Sequence, residues 1–332
     1  MNRADATATV PDETVNYYYY LALITARERI EAFRRALAAR VRPGNVVVEV
    51  GAGLGTYSFF AAQSGARRVY AIEKERIVHL AEQLAESNGL AEQVAFVRGD
   101  STEVVLPEKA DVLVLEDFSS LFMRRGLEEL VRDALSRHLH ENGVIVPHAV
   151  SLYAAPIGDP ALWRGLLSLE DDGYRRYGLN LGLLRDIMLR SPHVRRVEPE
   201  SLLAQPVALK TIELKNVSEY LFDRTVAMNI ERTGTVYGLA GWFDLQITPD
   251  IRLSNAPSNP ESVWRQVFFP FSEPQTVTAG ETAMARLACV RSARTHDIWW
   301  TWQLSAAAGS SENCSFAGVP FESRNLQNAP VP

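Results

Sequence analysis

A glycine-rich loop and an acidic residue early in the chain have the spacing of a nucleotide-binding site. The loop Gly51–Gly55, with the sequence GAGLG, follows the apolar run Val46–Val50 and precedes a helix-like stretch. Glycines let the backbone approach a ligand closely, and a helix N-terminus favours negative charge. Glu73 stands 22 residues after Gly51, at the end of the next strand-like run. A carboxylate there can accept both hydrogen bonds of a ribose diol, so the spacing predicts a ligand that contains ribose.

The residue after the loop separates two classes of ribose-containing cofactor. The dinucleotide fingerprint GxGxxG requires a glycine at position 56, where this chain has Thr56. The pattern GxGxG lacks the glycine that a pyrophosphate needs, so it favours S-adenosylmethionine (SAM) over NAD. A nicotinamide-dependent oxidoreductase is the alternative, and both Thr56 and the strand-rich second half of the chain oppose it.

A polar stretch after the third strand-like run is the candidate adenine site. The run Val94–Val97 leads into Ser101, Thr102 and Glu103. Open α/β sheets bind their ligands at the carboxyl ends of neighbouring strands. The three side chains are equivalent candidates for contacts with adenine, and a solvated turn is the alternative for the same stretch.

Strands and helices alternate along residues 1 to 147. Apolar runs bounded by turn signals predict buried strands, and apolar residues three and four apart predict helices. The predicted strands are Val46–Val50, Val69–Ile72, Val94–Val97, Val112–Leu115 and Gly143–Pro147, and the predicted helices are Arg27–Arg40, Thr56–Ser64, Ile77–Asn88 and Leu127–Leu139. This alternation predicts a doubly wound α/β sheet.

The pattern changes near residue 150, where short strands separated by turns replace the helices. The predicted strands are Val150–Ala155, Leu209–Asn216, Thr225–Ile230, Val236–Ile247, Val263–Phe269, Ala283–Val290 and Asp297–Leu304. Such a series predicts a β-barrel or a sandwich. The stretch from Pro160 to about Arg190 predicts a helical insert, and residues 305–332, rich in Ser, Ala, Asn and Pro, predict a disordered tail.

The composition restricts the classes of protein and partner. The 332 residues are 47% hydrophobic and 22% charged, with a net charge of −6. An acidic balance opposes nucleic-acid binding, whose footprint is basic. Two cysteines form no disulfide framework, and no set of metal ligands is evident. Met1–Glu13 contains no signal-peptide segment and no run has the roughly 18 apolar residues of a membrane helix, so we expect a cytoplasmic protein.

Several motifs, in a common order and with near-gapless spacing, resemble those of the protein arginine methyltransferases. The matching stretches are Val48–Gly55, Glu73, Glu103–Pro107, Leu115–Asp117, Asn142–Pro147, Tyr177-Gly178 and Trp264–Gln266. The resemblance spans residues 17–304. It implies a class I SAM-dependent methyltransferase domain with a Rossmann-like fold, followed by a β-barrel domain with an inserted helical dimerisation arm.

The resemblance also implies how the chain is divided. Residues 1–40 would form a helical cap over the SAM site, residues 41–147 the Rossmann-like domain, and residues 148–304 the β-barrel substrate domain. The arm at about residues 160–190 would make the protein a homodimer. The partner in the reaction would be a small-molecule, peptide or protein acceptor.

The resemblance extends the cofactor site beyond the glycine loop. Arg27 lies 22 residues before Glu49, where the family has the arginine that holds the SAM carboxylate. Some of the tyrosines Tyr17–Tyr20 are expected to contact the cofactor or the acceptor, and the others to pack. The predicted cofactor-binding residues are Arg27, Glu49, Gly51, Ala52, Gly53, Gly55, Glu73, Lys74, Ser101, Thr102 and Glu103.

The predicted catalytic loop follows Val112–Leu115 and departs from the family pattern. Family members use two glutamates, which hold the acceptor guanidinium and direct one nitrogen toward the methyl group. Glu116 fits the first glutamate, but the position of the second, nine residues later, is Arg125. Glu128 is the alternative second carboxylate if the loop is built differently. The family's Thr-His-Trp stretch reads Ser262-Val263-Trp264 here, without the histidine.

The resemblance implies SAM-dependent methyl transfer to a guanidino nitrogen of arginine, or to another nucleophile in a remodelled pocket. Arg125 would repel a guanidinium and would suit a carboxylate or phosphate. Two alternatives therefore stay open. One is a small-molecule methyltransferase whose acidic acceptor is held by Arg125, and the other is a catalytically inactive SAM-binding partner subunit.

Overall fold

The first part of the chain is a parallel sheet in the computed structural model, which describes residues 17–167, 177–180, 182–216, 220–292 and 297–314. The strands are β1 (Val46–Val50), β2 (Arg68–Glu73), β3 (Val94–Arg98), β4 (Ala110–Leu115) and β5 (Leu139–Val146). Their order is β3-β2-β1-β4-β5, so the strand order reverses between β1 and β4. The carboxyl ends of these two strands flank the crevice in which α/β sheets bind ligands.

Helices cover this sheet and bury its central strand. They are α1 (Tyr17–Thr25), α2 (Arg27–Arg40), α3 (Thr56–Gln63), α4 (Val78–Ser87) and α5 (Leu127–His138). All five residues of β1 are buried. Successive side chains of a strand point to opposite faces, so a strand that is buried throughout is covered on both faces. No helix in the described part of the chain is long and apolar enough to cross a membrane.

Antiparallel strands form the rest of the chain. They are β6 (Ala149–Ile157), β7 (His193–Arg195), β8 (Val207–Glu213), β9 (Phe222–Asn229), β10 (Gly234–Thr248), β11 (Ile251–Ser254), β12 (Gln266–Val277), β13 (Thr282–Arg291), β14 (Ile298–Ala306) and β15 (Gly309–Cys314). One sheet has the order β7-β12-β10-β6-β8 with β11 beside β10, and the other has the order β15-β14-β13-β9. Because β15 contacts β12 and β9 contacts β8, the two sheets meet at both edges and enclose a barrel-like core.

The predicted helical insert contains two short helices, α6 (Pro160–Leu166) and α7 (Gly182–Leu189). The carboxylate of Asp159 caps α6 by accepting a hydrogen bond of 2.8 Å from the Ala161 amide. Residues 168–176 and 181 of the insert lie outside the described residues. Among its described residues, large apolar side chains are exposed at Tyr177, Leu179 and Leu183.

The prediction of disorder from residue 305 onward is wrong for residues 305–314. β15 pairs with β14 from Thr301↔Cys314 to Ala306↔Gly309. The Ser311 hydroxyl also donates to the Glu273 carbonyl at 2.6 Å. Composition alone suggests disorder here because the residues of the segment are small and polar. Pairing with β14, however, provides hydrogen-bond partners for its backbone amides and carbonyls. Residues 315–332 of the predicted tail lie outside the described residues.

The loop from Glu116 to Gly126 joins β4 to α5 and packs against the barrel. The Phe118 ring stacks on Trp264 with centroids 5.7 Å apart and an angle of 24° between the planes. Phe118 also meets Phe243 of β10 edge-on, at 5.9 Å. This β4–α5 loop therefore belongs to a hydrophobic core that is continuous between the parallel sheet and the barrel.

Candidate active site

A cavity of about 430 Å³ opens at the carboxyl edge of the parallel sheet, and its volume is typical of small-molecule sites. Nine predicted site residues line it: Glu49, Gly51, Ala52, Gly53, Glu73, Lys74, Ser101, Thr102 and Glu116. Five predicted residues do not: Arg27, Gly55, Glu103, Arg125 and Glu128. The glycine loop and the ends of β2, β3 and β4 therefore meet in one cavity.

The Glu73 carboxylate is held rigidly on the cavity wall. One oxygen accepts a hydrogen bond of 2.8 Å from the Gly53 amide, and the other accepts one of 2.8 Å from the Glu75 amide. The Ile72 carbonyl accepts hydrogen bonds from the amides of both Gly51 and Ala52, at 2.9 and 3.0 Å. Backbone bonds thus fix the glycine loop and the acid relative to each other, as a site for a ribose diol requires.

Gly55 supports the loop through packing rather than through contact with a ligand. Its φ angle is +77°, and a Cβ atom would lie 2.7 Å from the Phe96 ring. A larger residue would therefore be strained and would collide with β3. Gly55 does not line the cavity, and the side on which a Cβ atom would lie faces Phe96 of β3.

Glu49 is a buried carboxylate on the cavity floor. Its Oε2 accepts hydrogen bonds from the Ser58 amide at 2.7 Å and from the Ser58 hydroxyl at 2.5 Å, so it ties β1 to α3. Burial raises the pKa of Glu49 to about 8, although the bonds from Ser58 oppose the rise.

The pKa of Glu49 predicts a fall of stability with rising pH. From about pH 5 to 8 the folded chain keeps a proton on Glu49 that the unfolded chain has lost, because the pKa rises from 4.5 to about 8 on folding. Stability then falls by up to about 1.4 kcal/mol per pH unit, and this fall ends above the folded pKa. Urea unfolding at pH 5.5 and 8.5 measures it. In Glu49→Gln the decrease of stability between these two pH values should disappear. In the control Glu103→Gln, which changes an exposed acid, the decrease should remain. An equal fall in Glu49→Gln would contradict this assignment.

Arg29, and not the predicted Arg27, is the buried cation that lines the cavity on α2. Arg29 is 6% exposed and lines the cavity, whereas Arg27 is exposed and does not. Two residues along a helix turn the side chain by about 200°. The prediction of Arg27 rests on its spacing of 22 residues before Glu49, and this spacing includes the turn at Pro43–Gly44. A difference of two residues in the length of that turn changes which arginine faces inward.

Arg29 and Glu116 form a buried ion pair between α2 and the end of β4. The Arg29 Nε lies 3.1 Å from Glu116 Oε2, and its Nη2 makes a second, shorter bond to the same oxygen. The Arg29 Nη1 donates to the Leu23 carbonyl of α1 at 2.9 Å. Burial acts to lower the pKa of Arg29, but the attraction and hydrogen bond of Glu116, together with the smaller effects of Tyr57 and Tyr19, outweigh it and the pKa is raised. Arg29 is therefore a cation at neutral pH, on the wall of the cavity.

The β4–α5 loop turns Arg124 inward and Arg125 outward. Arg124 lines the cavity and donates to Asp117 from Nε at 2.6 Å and from Nη2 at 2.5 Å. Burial lowers the pKa of Arg124 to about 10, so it is still a cation at neutral pH. The side chain of Arg125 is 62% exposed and pairs with Asp297 of the barrel at 3.0 Å. The loop also contains Phe122 with a positive φ angle of 64°, which is uncommon for a residue other than glycine.

Glu128 is not the second carboxylate of the cavity. It is paired with Arg132 and, at 2.9 Å, with Arg291 of β13. Glu129, one residue later, lines the cavity instead and also pairs with Arg291. Arg125 and Glu128, the other two predicted catalytic residues, each make a salt bridge to the barrel and do not line the cavity.

We expect Arg125→Ala to change the kcat of the reaction predicted from the sequence, methyl transfer, by less than threefold. The pair with Asp297 is exposed on the arginine side, and such pairs contribute little. The measurement is initial rate at saturating cofactor and acceptor. A loss of tenfold or more would show that the side chain enters the site during turnover.

The end of the cavity predicted to bind adenine is lined by Asp100, Ser101 and Thr102. Both the amide and the hydroxyl of Thr102 donate to the Asp100 carboxylate, at 3.0 and 2.7 Å. Glu103, the third predicted residue of this stretch, is exposed and does not line the cavity. Asp100 was not among the predicted residues, although it lies directly before them.

His138 fixes the loop that contains Ser101 through a buried hydrogen bond. His138 is 1% exposed, and its Nε2 lies 2.9 Å from the Ser101 carbonyl. A carbonyl oxygen only accepts, so Nε2 carries the proton. Burial lowers the pKa of His138, which keeps the ring neutral at physiological pH.

Aromatic side chains close two sides of the cavity. Tyr19 and Tyr20 of α1 line it, while Tyr18 is 85% exposed, as expected for tyrosines on all faces of one helical turn. A Cβ atom on Gly53 would lie 3.2 Å from the Tyr20 ring, so the helix covers the glycine loop. On the barrel side the wall is Trp264, whose ring lies 5.8 Å from the Arg29 guanidinium.

Two family models match this chain. Residues 148–307 match the arginine methyltransferase oligomerization subdomain, and residues 14–152 match the TRM5/TYW2 methyltransferase domain. The chain is 28% identical over 334 residues to protein arginine N-methyltransferase PRMT10 of Oryza sativa subsp. japonica, covering 89% of this chain and 88% of that protein. It is 32% identical over 297 residues to a probable histone-arginine methyltransferase CARM1 of Oryza sativa subsp. indica, covering 85% and 54%.

The chain belongs to the protein arginine methyltransferase family. Solved structures show the same fold. A chain of the Trypanosoma brucei PRMT1 enzyme-prozyme heterotetrameric complex with AdoHcy matches with a TM-score of 0.82 at 20% identity, covering 90% of this chain and 98% of that chain. Arabidopsis thaliana protein arginine methyltransferase 10 matches with a TM-score of 0.76 at 23% identity, covering 90% and 98%.

Family membership makes the chain a SAM-dependent methyltransferase, and the fold class, enzyme class and cofactor predicted from the sequence are confirmed. The residues of the cavity fit SAM. Arg29 would be the cation for the carboxylate of the methionine part, Glu73 would be the acid for the ribose diol, and Ser101 and Thr102 would face the adenine. The barrel half carries the family's oligomerization subdomain.

Proposed function

We propose that this methyltransferase methylates a guanidino nitrogen of arginine and that Glu116 holds the acceptor. The observation that supports the proposal is the position of Glu116: it follows β4 directly, lies on the cavity wall, and is paired with Arg29 beside Trp264. SAM supplies, when bound, a methyl group already activated by the positive sulfur. The chain then has to hold the acceptor nitrogen in line with that group.

Glu116 has one oxygen for the protein and one for the acceptor. Among the described residues, the bonds from Arg29 and the 3.4 Å contact from the Tyr57 hydroxyl all go to Oε2. Oε1 can therefore accept N–H groups of a guanidinium. A charged acceptor oxygen attracts the positive charge of the guanidinium toward the bonded nitrogens and leaves electron density for the nitrogen that faces the methyl group.

The two-glutamate pattern is incomplete at this site, because its second position holds an arginine. Arg125 replaces the second glutamate and points to the barrel, so Glu116 acts without that partner. One carboxylate orients a guanidinium less tightly than two, and a slow reaction is expected with ordinary arginine peptides. The missing carboxylate also favours a second candidate function, a partner subunit that binds SAM but does not turn over.

Arg124 favours a particular acceptor, one that carries an acidic group as well as a guanidinium. Arg124 lines the cavity and is cationic at neutral pH, so it can bind a carboxylate while Glu116 binds the guanidinium. Free arginine and related guanidino acids have both groups. Arg125 was the predicted cation for this role, and its outward direction excludes it from the cavity.

The test is transfer of labelled methyl groups from SAM to three matched acceptors: free arginine, arginine amide and an amidated arginine-rich peptide. Label in the peptide supports protein methylation. A preference of tenfold or more for free arginine over arginine amide supports the role of Arg124. The Glu116→Gln variant is the control for background. SAM binding without label in any acceptor, or in cell lysate, would overturn arginine methylation in favour of the partner subunit.

We also propose that the chain forms a homodimer through the helical insert. The barrel half matches an oligomerization subdomain, and the insert exposes Tyr177, Leu179 and Leu183. Exposed apolar patches of this kind mark interaction surfaces. Light scattering after gel filtration should give twice the mass of the 332-residue chain, and Leu183→Glu should reduce it.

A further inference from the structure

We infer that Asn255 is a positioning residue that holds the β4–α5 loop, and with it Glu116, against the barrel wall of the active site. The inference rests on the proposed function, since it assumes that the acceptor is bound between Glu116 and Trp264. Neither the sequence motifs nor the family pattern identifies this residue. Asn255 follows β11 directly and is 0% exposed.

The Asn255 side chain makes three hydrogen bonds, to three segments of the chain. Its Oδ1 accepts from the Phe243 amide of β10 at 2.7 Å. Its Nδ2 donates to the Ser120 carbonyl of the β4–α5 loop at 2.8 Å and to the Arg265 carbonyl at 2.8 Å. An arrangement of one acceptor and two donors is specific to an amide, because a carboxylate has no proton and an aliphatic group has neither.

The hydrogen bond to the Arg265 carbonyl ties the Asn255 side chain to the segment that carries Trp264, the barrel-side wall of the site. Arg265 follows Trp264, and Gln266 donates from Nε2 to the Asn255 carbonyl at 2.6 Å while its Oε1 accepts from the Val197 amide at 2.9 Å. The backbone on both sides of Asn255 is thus fixed to the barrel. Trp264 in turn stacks on Phe118 of the β4–α5 loop.

The consequence is that one buried amide couples the acceptor carboxylate to the barrel. Ser120 is four residues after Glu116, and the loop between them contains Phe118, which touches Trp264. Without the donors of Asn255, the Ser120 carbonyl would be buried with one partner fewer. The loop would then shift away from the barrel. The SAM side of the cavity, which Glu73 and Gly53 form through backbone bonds of their own, would keep its geometry.

The test compares Asn255→Asp with Asn313→Asp, the same change at a second buried asparagine of the barrel. Asn313 is 8% exposed and donates to the Leu189 carbonyl at 2.7 Å, to Ser272 at 3.1 Å and to Pro270 at 3.3 Å, away from the cavity. Both variants should lose thermal stability. Asn255→Asp should lower kcat about 30-fold and raise the acceptor KM, with the SAM dissociation constant within threefold of wild type. Asn313→Asp should keep kcat within threefold per folded molecule.

Hydrogen exchange of the amides from Phe118 to Arg124 provides a readout that does not need turnover. Exchange should become at least tenfold faster in Asn255→Asp and stay unchanged in Asn313→Asp. If Asn255→Asp does not fold, Asn255→Thr replaces it in the test. Threonine has a shorter side chain and one donor, so exchange of these amides should be faster than in wild type, by less than the tenfold expected for Asn255→Asp. Unchanged exchange in the Asn255 variants, or equal losses of kcat in the two Asp variants, would overturn the inference. Absence of methyl transfer in wild type, together with the expected exchange rates, would overturn only the proposed function.

Discussion

Glu116→Gln is expected to lower kcat for methyl transfer by about three orders of magnitude, because removal of a charged group that contacts the reacting nitrogen has effects of this size. Glutamine keeps the shape of the side chain and can still accept a bond from Arg29. It lacks the negative charge that binds the guanidinium and leaves electron density on the nitrogen that faces the methyl group. The measurement is single-turnover methyl transfer with SAM and acceptor both saturating.

The same variant should bind SAM as tightly as wild type or more tightly. Glu116 and the SAM carboxylate compete for Arg29, and the neutral glutamine competes less. The matched control is Glu128→Gln, the same change at an acid outside the cavity, which should keep kcat within threefold. A loss of activity in Glu116→Gln of less than tenfold would contradict the assignment of Glu116 as the acceptor carboxylate.

Arg29→Met is expected to raise the dissociation constant of SAM about 100-fold. Hydrogen bonds to a charged group contribute roughly 1.5–3 kcal/mol, and about 1.4 kcal/mol corresponds to a factor of ten. The substitution also leaves Glu116 buried without its cation, so a loss of thermal stability should accompany the loss of binding. Isothermal titration calorimetry with SAM gives the dissociation constant directly.

Arg27→Met is the matched control for this prediction. It removes the same chemical group two residues earlier on the same helix, at an exposed position, and should change the dissociation constant less than twofold. If Arg27→Met weakened SAM binding as much as Arg29→Met, the assignment of Arg29 as the cation for the cofactor carboxylate would be contradicted.

Local patterns determined the fold and the cofactor side of the site. The run Val46–Val50, the glycine loop and Glu73 were predictable because each depends on residues adjacent in sequence or on neighbouring strands of one sheet. The register of β1 with β2 and with β4 then brings Glu73 and Glu116 to the same edge. A parallel sheet gives this result for any residue at the carboxyl end of a strand.

The direction of single side chains was decided only by the tertiary structure. The sequence contains arginines at positions 27 and 29 and again at 124 and 125, and a one- or two-residue difference in a turn or loop exchanges which one faces the cavity. Contact with Glu116 buries Arg29, and a pair with Asp297, 172 positions further along the chain, turns Arg125 outward. Neither partner is near in sequence.

The roles of Asn255 and Trp264 were likewise decided by packing between the two halves of the chain. Sequence alone assigned Trp264 to a motif and did not identify Asn255. Both reach the β4–α5 loop from the barrel, more than 100 positions away, through a stacked ring and a buried amide. Spacing rules describe helices and strands, whereas these contacts depend on how a barrel and a sheet fit together in three dimensions.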